Sequence, residues 1–336
     1  MSIYSLDFIK GLSFVVMLAF ACELIALLPI IADTGISSLI IAILLGIVIS
    51  NTYPLPTTWL HGIQFASKRI LRLAIILYGF RISIQELLAA GSTALIISIL
   101  MVSIILLLSY LIGKKIIKLD TELSLLIGIG SAVCGAAAVL ALEDILKSQA
   151  HKTSVAIATV VIFGTLSMFL YPLLQQSEWL GFSSNQYGIF VGASIHEVAQ
   201  VVAAANIDNT TSQTAVIVKM MRVILLVPLL FILAWINKRY RVSSEHKKVS
   251  IVIPWFAFGF LLMIVLHSLF LNHAALINAI NQFDTFLLTI SMGAIGLETK
   301  WAKIKHVGMK PFYLGAILCV CLFISAYLLV SMSPLT

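Results

Sequence analysis

Charge is scarce in this sequence. Of its 336 residues, 10% are charged and 61% are hydrophobic, against about a quarter charged and 45–50% apolar in a soluble domain. The composition is that of a polytopic membrane protein. Acidic residues are scarcest, 14 against 21 Lys and Arg, which gives a net charge of +7. In a membrane chain that excess marks basic cytoplasmic loops, so nucleic acid is not an expected partner. Cysteine is rare too. Cys22, Cys134, Cys319 and Cys321 all lie in apolar segments, which argues against a disulfide framework. A cleavable signal peptide is not expected either. The run 11–31 is too long for a signal h-region, contains Glu23 and lacks a small-residue cleavage pattern, so it reads as a retained first helix.

What is present is a series of long apolar runs. A membrane span needs about 17–25 mostly apolar residues. Eleven candidates fall near 11–31, 36–51, 66–82, 92–113, 122–142, 153–174, 185–205, 214–236, 251–271, 283–299 and 311–333. Three basic clusters fall on one side if every run crosses. They are Lys114, Lys115 and Lys118; Lys238, Arg239, Arg241, Lys247 and Lys248; and Lys300, Lys303, Lys305 and Lys310. The positive-inside rule makes that side cytoplasmic, with the N-terminus inside. Lys147 and Lys152 then fall outside. Re-entrant hairpins in place of the fifth and seventh spans would remove this misfit and reduce the crossings to nine.

The halves of the chain resemble each other. "RILRLAIIL" from Arg69 matches "KMMRVILLV" from Lys219, "AILLGIVISN" matches "GIFVGASIHE", and "LLIGIG" around Gly128 matches "TISMGAIG" around Gly293. These pairs align 36–176 with 177–336 as two repeats of opposite orientation, leaving 1–35 as an extra N-terminal helix. Inverted repeats are typical of secondary transporters. A competing alignment pairs "IGSAVCGAAAV" with "VGASIHEVAQV" and favours the re-entrant topology.

Three constellations carry chemistry. Gly128, Gly130 and Gly135 interrupt the fifth run beside Ser131 and Cys134. A half-helix that follows such a break presents free N–H groups to an anion; the plain alternative is close helix packing through small residues. His196 and Glu197 sit at the centre of the seventh run, with Gln200 one turn on. A central ionisable group costs about 2.5–3.5 kcal/mol on insertion scales and is functional by default. "HEVAQ" lacks the second histidine of a zinc motif, so no metal is expected. The basic pairs Arg69/Arg72 and Lys219/Arg222 lie three residues apart, on one helix face. Either pair can anchor an interface or bind an oxyanion, and Glu197 is a candidate counter-ion of Arg222. Arg81 and Glu298 read as span-boundary residues. Trp59, Trp179 and Trp301 read as interfacial anchors. Glu23 and His267 receive no role.

"RLAIILYGFRIS" (72–83), "GIGSAVCGAAAVLAL" (128–142), "SIHEVAQVVAA" (194–204), "KMMRVILLVP" (219–228) and "GAIGLET" (293–299) run in order over most of the chain. Together they resemble the YeiH-type family of bacterial inner-membrane proteins, often described as sulfate exporters. The resemblance extends to a broader group that includes bile-acid/sodium symporters and sodium/proton antiporters. It implies two inverted five-helix repeats with discontinuous helices crossing at the midplane, here spans 5 and 10.

The sequence thus predicts an all-α secondary transporter of a small anion, with sulfate or a sulfonate as the leading substrates. Gly130, Ser131, Cys134, Gly135, Gln200, Lys219, Arg222, Gly293 and Gly296 are the expected substrate-site residues, and His196 and Glu197 the coupling pair. A proton or Na⁺ is the expected coupling ion, the bilayer the surrounding partner and a second copy of the chain the assembly left open. No cofactor, catalytic residue or metal is expected. Competing readings are a sodium-coupled organic-anion symporter, an intramembrane hydrolase built on His196 and Glu197, and a channel or structural subunit.

Overall fold

With no water in hydrocarbon to take up unpaired amides, apolar runs of this length become helices. The computed structural model describes residues 6–28, 37–240, 255–269, 274–299 and 309–332, and among them every regular element is helical. Arg241, Lys247, Lys248, Lys300, Trp301, Lys303 and Lys305 lie outside the described residues. Among the described residues, five stretches are long and apolar enough to cross a membrane: Leu6–Ala26, Gly91–Ile116, His151–Gln176, Asn209–Ile236 and Met309–Met332. The chain is an all-α polytopic membrane protein.

Two compact units interleave along the sequence. The first comprises Met1–Glu86 and Trp255–His306, the second Leu87–Pro254 and Val307–Thr336. Each draws on both halves of the chain.

The first unit contains α1 (Leu6–Ala26), α2 (Ser38–Thr52), α3 (60–81, with a π turn at Ala66–Ile70 and a closing 3-10 turn at Gly79–Arg81), α12 (Trp255–Leu269) and α13 (Ala274–Glu298). The expected break at Gly293–Gly296 is absent, since α13 is continuous through both glycines. Their role is contact. A Cβ on Gly46 would lie 2.5 Å from the Gly293 carbonyl oxygen and 2.9 Å from the Gly296 Cα. Small residues let α2 and α13 run parallel in backbone contact, and no amide is released for a ligand. Gly293 and Gly296 are therefore packing residues. Arg69 and Arg72 are exposed. Arg81 is more than a boundary residue: its guanidinium meets the carboxylate of Asp284, which is fully buried on α13, at 3.0 Å.

The second unit holds α4 (Ile84–Leu111), α5 (Thr121–Ala132), α6 (Ala136–Leu146), α7 (Ala150–Gln176), α8 (Ser184–Ser194), α9 (Val198–Ala204), α10 (Asn209–Ile224), α11 (Leu226–Tyr240) and α14 (Met309–Met332). Two pairs of short helices fold back on themselves. Lys152, at the start of α7, bonds the carboxylates of Asp120 and Glu122, and the Ser148 hydroxyl donates to Glu122 at 3.3 Å. The end of α6 thus returns to the start of α5. The second pair closes likewise. The Tyr187 hydroxyl donates to the Ala204 carbonyl at 3.4 Å, and the Thr211 hydroxyl donates to the Ser184 carbonyl at 3.1 Å. Helix α8 therefore runs parallel to α10, with Gly188 against Thr211 and Thr214 and Gly192 against Ala215 and Val218. That direction is open only if α9 doubles back.

Spans 5 and 7 are thus re-entrant hairpins, and Lys147 and Lys152 join the basic side. The bases of the hairpins lie at opposite ends of α7, which at 27 residues is about 40 Å long. The hairpins enter from opposite faces. The alignment of span 5 with span 7 describes this unit.

The base of the first hairpin yields a pH prediction. The hydrogen bond from Lys152 holds the Asp120 carboxyl below its usual range. A carboxyl depressed in the folded state stabilises above its unfolded pKa, and the gain is lost as pH falls through the folded value. The pair is half-exposed, so its contribution is roughly 0.2–1 kcal/mol. The melting temperature of wild-type protein should fall more steeply on acidification than that of Asp120→Asn. Equal slopes would show that the contact contributes no stability.

Candidate functional site

The hairpin tips are the places where backbone leaves helical geometry. In the first tip, Val133 and Gly135 break the chain. Gly135 has φ 73° and ψ −135°, a conformation that glycine reaches without a Cβ penalty. In the second, Ile195 and Glu197 are extended, with ψ 148° and 150°. His196 and Gln200 are therefore not one turn apart on a helix face, because the helix starts anew at Val198.

Each break leaves carbonyls without an intrahelical partner, and α10 supplies the donors. Arg222 Nε donates to the Ala132 carbonyl at 2.9 Å. Its Nη2 donates to Ser131 at 3.1 Å and to Ala132, and its Nη1 to Ala193 and, at 3.5 Å, Gly192. Lys219 Nζ donates to Ile195 at 2.7 Å and to His196 at 2.6 Å. Both cations are 0% exposed. They sit at the C-terminal, negative dipole ends of α5 and α8, where positive charge is favoured. The Arg fork spans two hairpins at once, a geometry an ammonium cannot reproduce.

The opposite dipole end holds the carboxylate. Glu197 Oε1 accepts from the Ala136 amide, at the N-terminus of α6, at 3.2 Å. A Cβ on Gly135 would lie 2.7 Å from the same oxygen. The Glu197 amide donates to Gln200 Oε1 at 3.1 Å. The Gln200 amide then reaches α7, at Val161 O (3.4 Å) and Thr165 Oγ1 (3.3 Å). These contacts fall near the middle of α7, which places the tips at mid-depth.

The structure brings together Gly130, Ser131, Cys134, Gly135, His196, Glu197, Gln200, Lys219 and Arg222 in the second unit. Several contribute through the backbone: Ser131 and His196 offer carbonyls, and Gln200 anchors its hairpin. Cys134 is buried within electrostatic reach of Lys219, Glu197 and Arg222. His196 is 1% exposed, and its Nδ1 has no hydrogen-bond partner among the described residues. Gly293 and Gly296 belong to the first unit. Asp284 was not among the expected site residues, although an aspartate inside the apolar run "FDTFLLTI" is itself a signal.

Residues 10–315, both hairpins included, match the family described as conserved hypothetical protein 698. The chain belongs to that family. A UPF0324 membrane protein of Bordetella pertussis is 41% identical over 332 residues, covering 97% of this chain and 95% of its own. A second, from Bacteroides thetaiotaomicron, is 42% identical over 328 residues, covering 96% and 97%. The UPF0324 inner membrane protein YeiH of Escherichia coli is 42% identical over 303 residues, covering 88% and 86%. The family match spans both tips and the capping residues Lys219 and Arg222.

Proposed function

We propose that this member of the conserved hypothetical protein 698 family is a secondary active transporter. It moves a small anion, sulfate or a sulfonate, across the bacterial inner membrane by alternating access. One observation carries the reading: two re-entrant hairpins meet tip to tip at mid-depth and bury Lys219 and Arg222, beside the half-buried Glu197, around broken backbone. Irregular backbone survives at membrane depth only where protein or a wet cavity covers it, and broken helices with ionisable groups there mark substrate and ion paths.

The charge balance favours an anion. Two cations, Lys219 and Arg222, face one carboxylate, Glu197, an excess of one positive charge. The α6 N-terminus is the natural oxyanion position, and Glu197 occupies it. Ionised Glu197 competes with the substrate; protonated Glu197 loses its attraction to the amide and yields the place. Proton and anion then move together.

Proteoliposomes loaded for labelled sulfate uptake test this. A pH gradient, acid on the side of uptake, should raise wild-type flux on the order of tenfold, and Glu197→Gln should remove that dependence. A flux no greater than in protein-free vesicles under every gradient overturns the reading. A response to sodium alone replaces the proton with Na⁺ as coupling ion.

A further inference from the structure

The first unit contains a buried acid that the hairpin site does not use. Asp284 is 0% exposed on α13. Arg81 bonds its Oδ2: Nε and Nη2 both lie 3.0 Å from that oxygen. Oδ1 is buried and has no hydrogen-bond partner among the described residues. One turn earlier on the same face, Asn281 Oδ1 is likewise buried without a partner. The turn between them is held in place, because Arg81 Nη2 also donates to the Asn281 carbonyl at 2.8 Å and to Thr285 Oγ1 at 2.7 Å.

Two acceptors one helical turn apart, both buried and both without a donor among the described residues, are an expensive arrangement. One proton satisfies both. A hard metal ion fits less well, since it requires several oxygens, and Arg81 already holds a positive charge against this carboxylate. The charged side chains on the elements packed against α13 are Asp7, Lys10 and Glu23 on α1 and Lys68, Arg69, Arg72 and Arg81 on α3. Of these, Lys10, Lys68, Arg69 and Arg72 are exposed, Asp7 pairs with Lys10, and Arg81 is the one that bonds Asp284.

We propose that Asp284 is a second proton site of this protein, taking a proton on Oδ1 and donating it to Oδ1 of Asn281 while Oδ2 stays on Arg81. An O–H bond forms at Oδ1 with a proton delivered by water. The Arg81–Asp284 pair passes from neutral to a charge of +1. That charge rests on Arg81, whose side chain is 24% exposed and not fully desolvated. The site does not depend on the transport reading.

Infrared difference spectroscopy of the full-length protein in lipid tests it. The wild type should show the carbonyl stretch of a protonated carboxylic acid, growing as pH is lowered. The band should be lost in Asp284→Asn and retained in Glu197→Gln. If Asp284→Asn does not fold, Asn281→Leu carries the test, since the acid remains but loses its acceptor and the band should move to higher frequency. Absence of an Asp284-dependent band at any pH overturns the proposal. So does a band that vanishes in Glu197→Gln alone, or one that Asn281→Leu leaves unshifted.

Discussion

Arg222→Met should lower the melting temperature of the detergent-solubilised protein more than any other single substitution at the hairpin tips. The guanidinium donates to carbonyls of Ser131 and Ala132 on one hairpin and of Gly192 and Ala193 on the other. It is fully buried, so no water replaces it when it is truncated. Each buried carbonyl left without a donor costs about 1–3 kcal/mol, and breaking a buried charged network costs about 3–5 kcal/mol. Methionine matches the stem in length and removes only the fork. Arg222→Lys should fall between methionine and wild type, because one ammonium cannot span both tips. Arg69→Met, at an exposed position, is the control and should stay within about 0.5 kcal/mol of wild type. If Arg222→Met melts with the control, the tips are held by something other than the guanidinium.

The second large effect is expected at Gly135→Ala. The native φ of 73° and ψ of −135° suit glycine, and holding another residue there costs about 1–3 kcal/mol. The new methyl group would also meet Glu197, 2.9 Å from its carboxyl carbon. To relieve that contact the carboxylate must leave the Ala136 amide. The expected outcome is a lower melting temperature together with loss of the proposed gradient-driven sulfate flux. A double-mutant cycle with Glu197→Ala separates the two causes. Backbone strain persists in the double variant, whereas the steric term disappears and leaves a coupling of about 0.5–3 kcal/mol. No coupling would mean that Gly135 and Glu197 act independently.

Both substitutions address positions already conspicuous in the sequence. Arg222 is an arginine deep in an apolar run, and Gly135 ends a glycine cluster. Their partners were not visible there. Arg222 was expected to bind an anion or pair with Glu197. The structure shows it bonding backbone carbonyls, because broken helices have carbonyls to satisfy and composition does not show which helices break. The glycines at 293 and 296 show the limit most clearly. "TISMGAIG" and "LLIGIG" look alike, yet the first lies in an unbroken helix against Gly46 and the second leads into a hairpin tip. A glycine pattern allows a break and a close approach equally, and the neighbouring backbone selects between them. The competing alignment of span 5 with span 7 was available from the letters. Only the contacts of Lys152 and Tyr187 give it preference, by bringing the ends of each hairpin together.

The sequence by itself determined that this chain lives in a membrane as a bundle of helices, because 61% hydrophobic residues in long runs admit no other solvent and no other backbone pairing. It also determined which residues are costly enough to require a reason: Glu197, Lys219 and Arg222. Tertiary structure decided the rest. It folded two spans into opposed hairpins, assigned the cations to carbonyl ends and the carboxylate to an amide end, and set Asp284 against Arg81. Each of these depends on partners distant in sequence, and a buried charge takes its role from the partner that neutralises it.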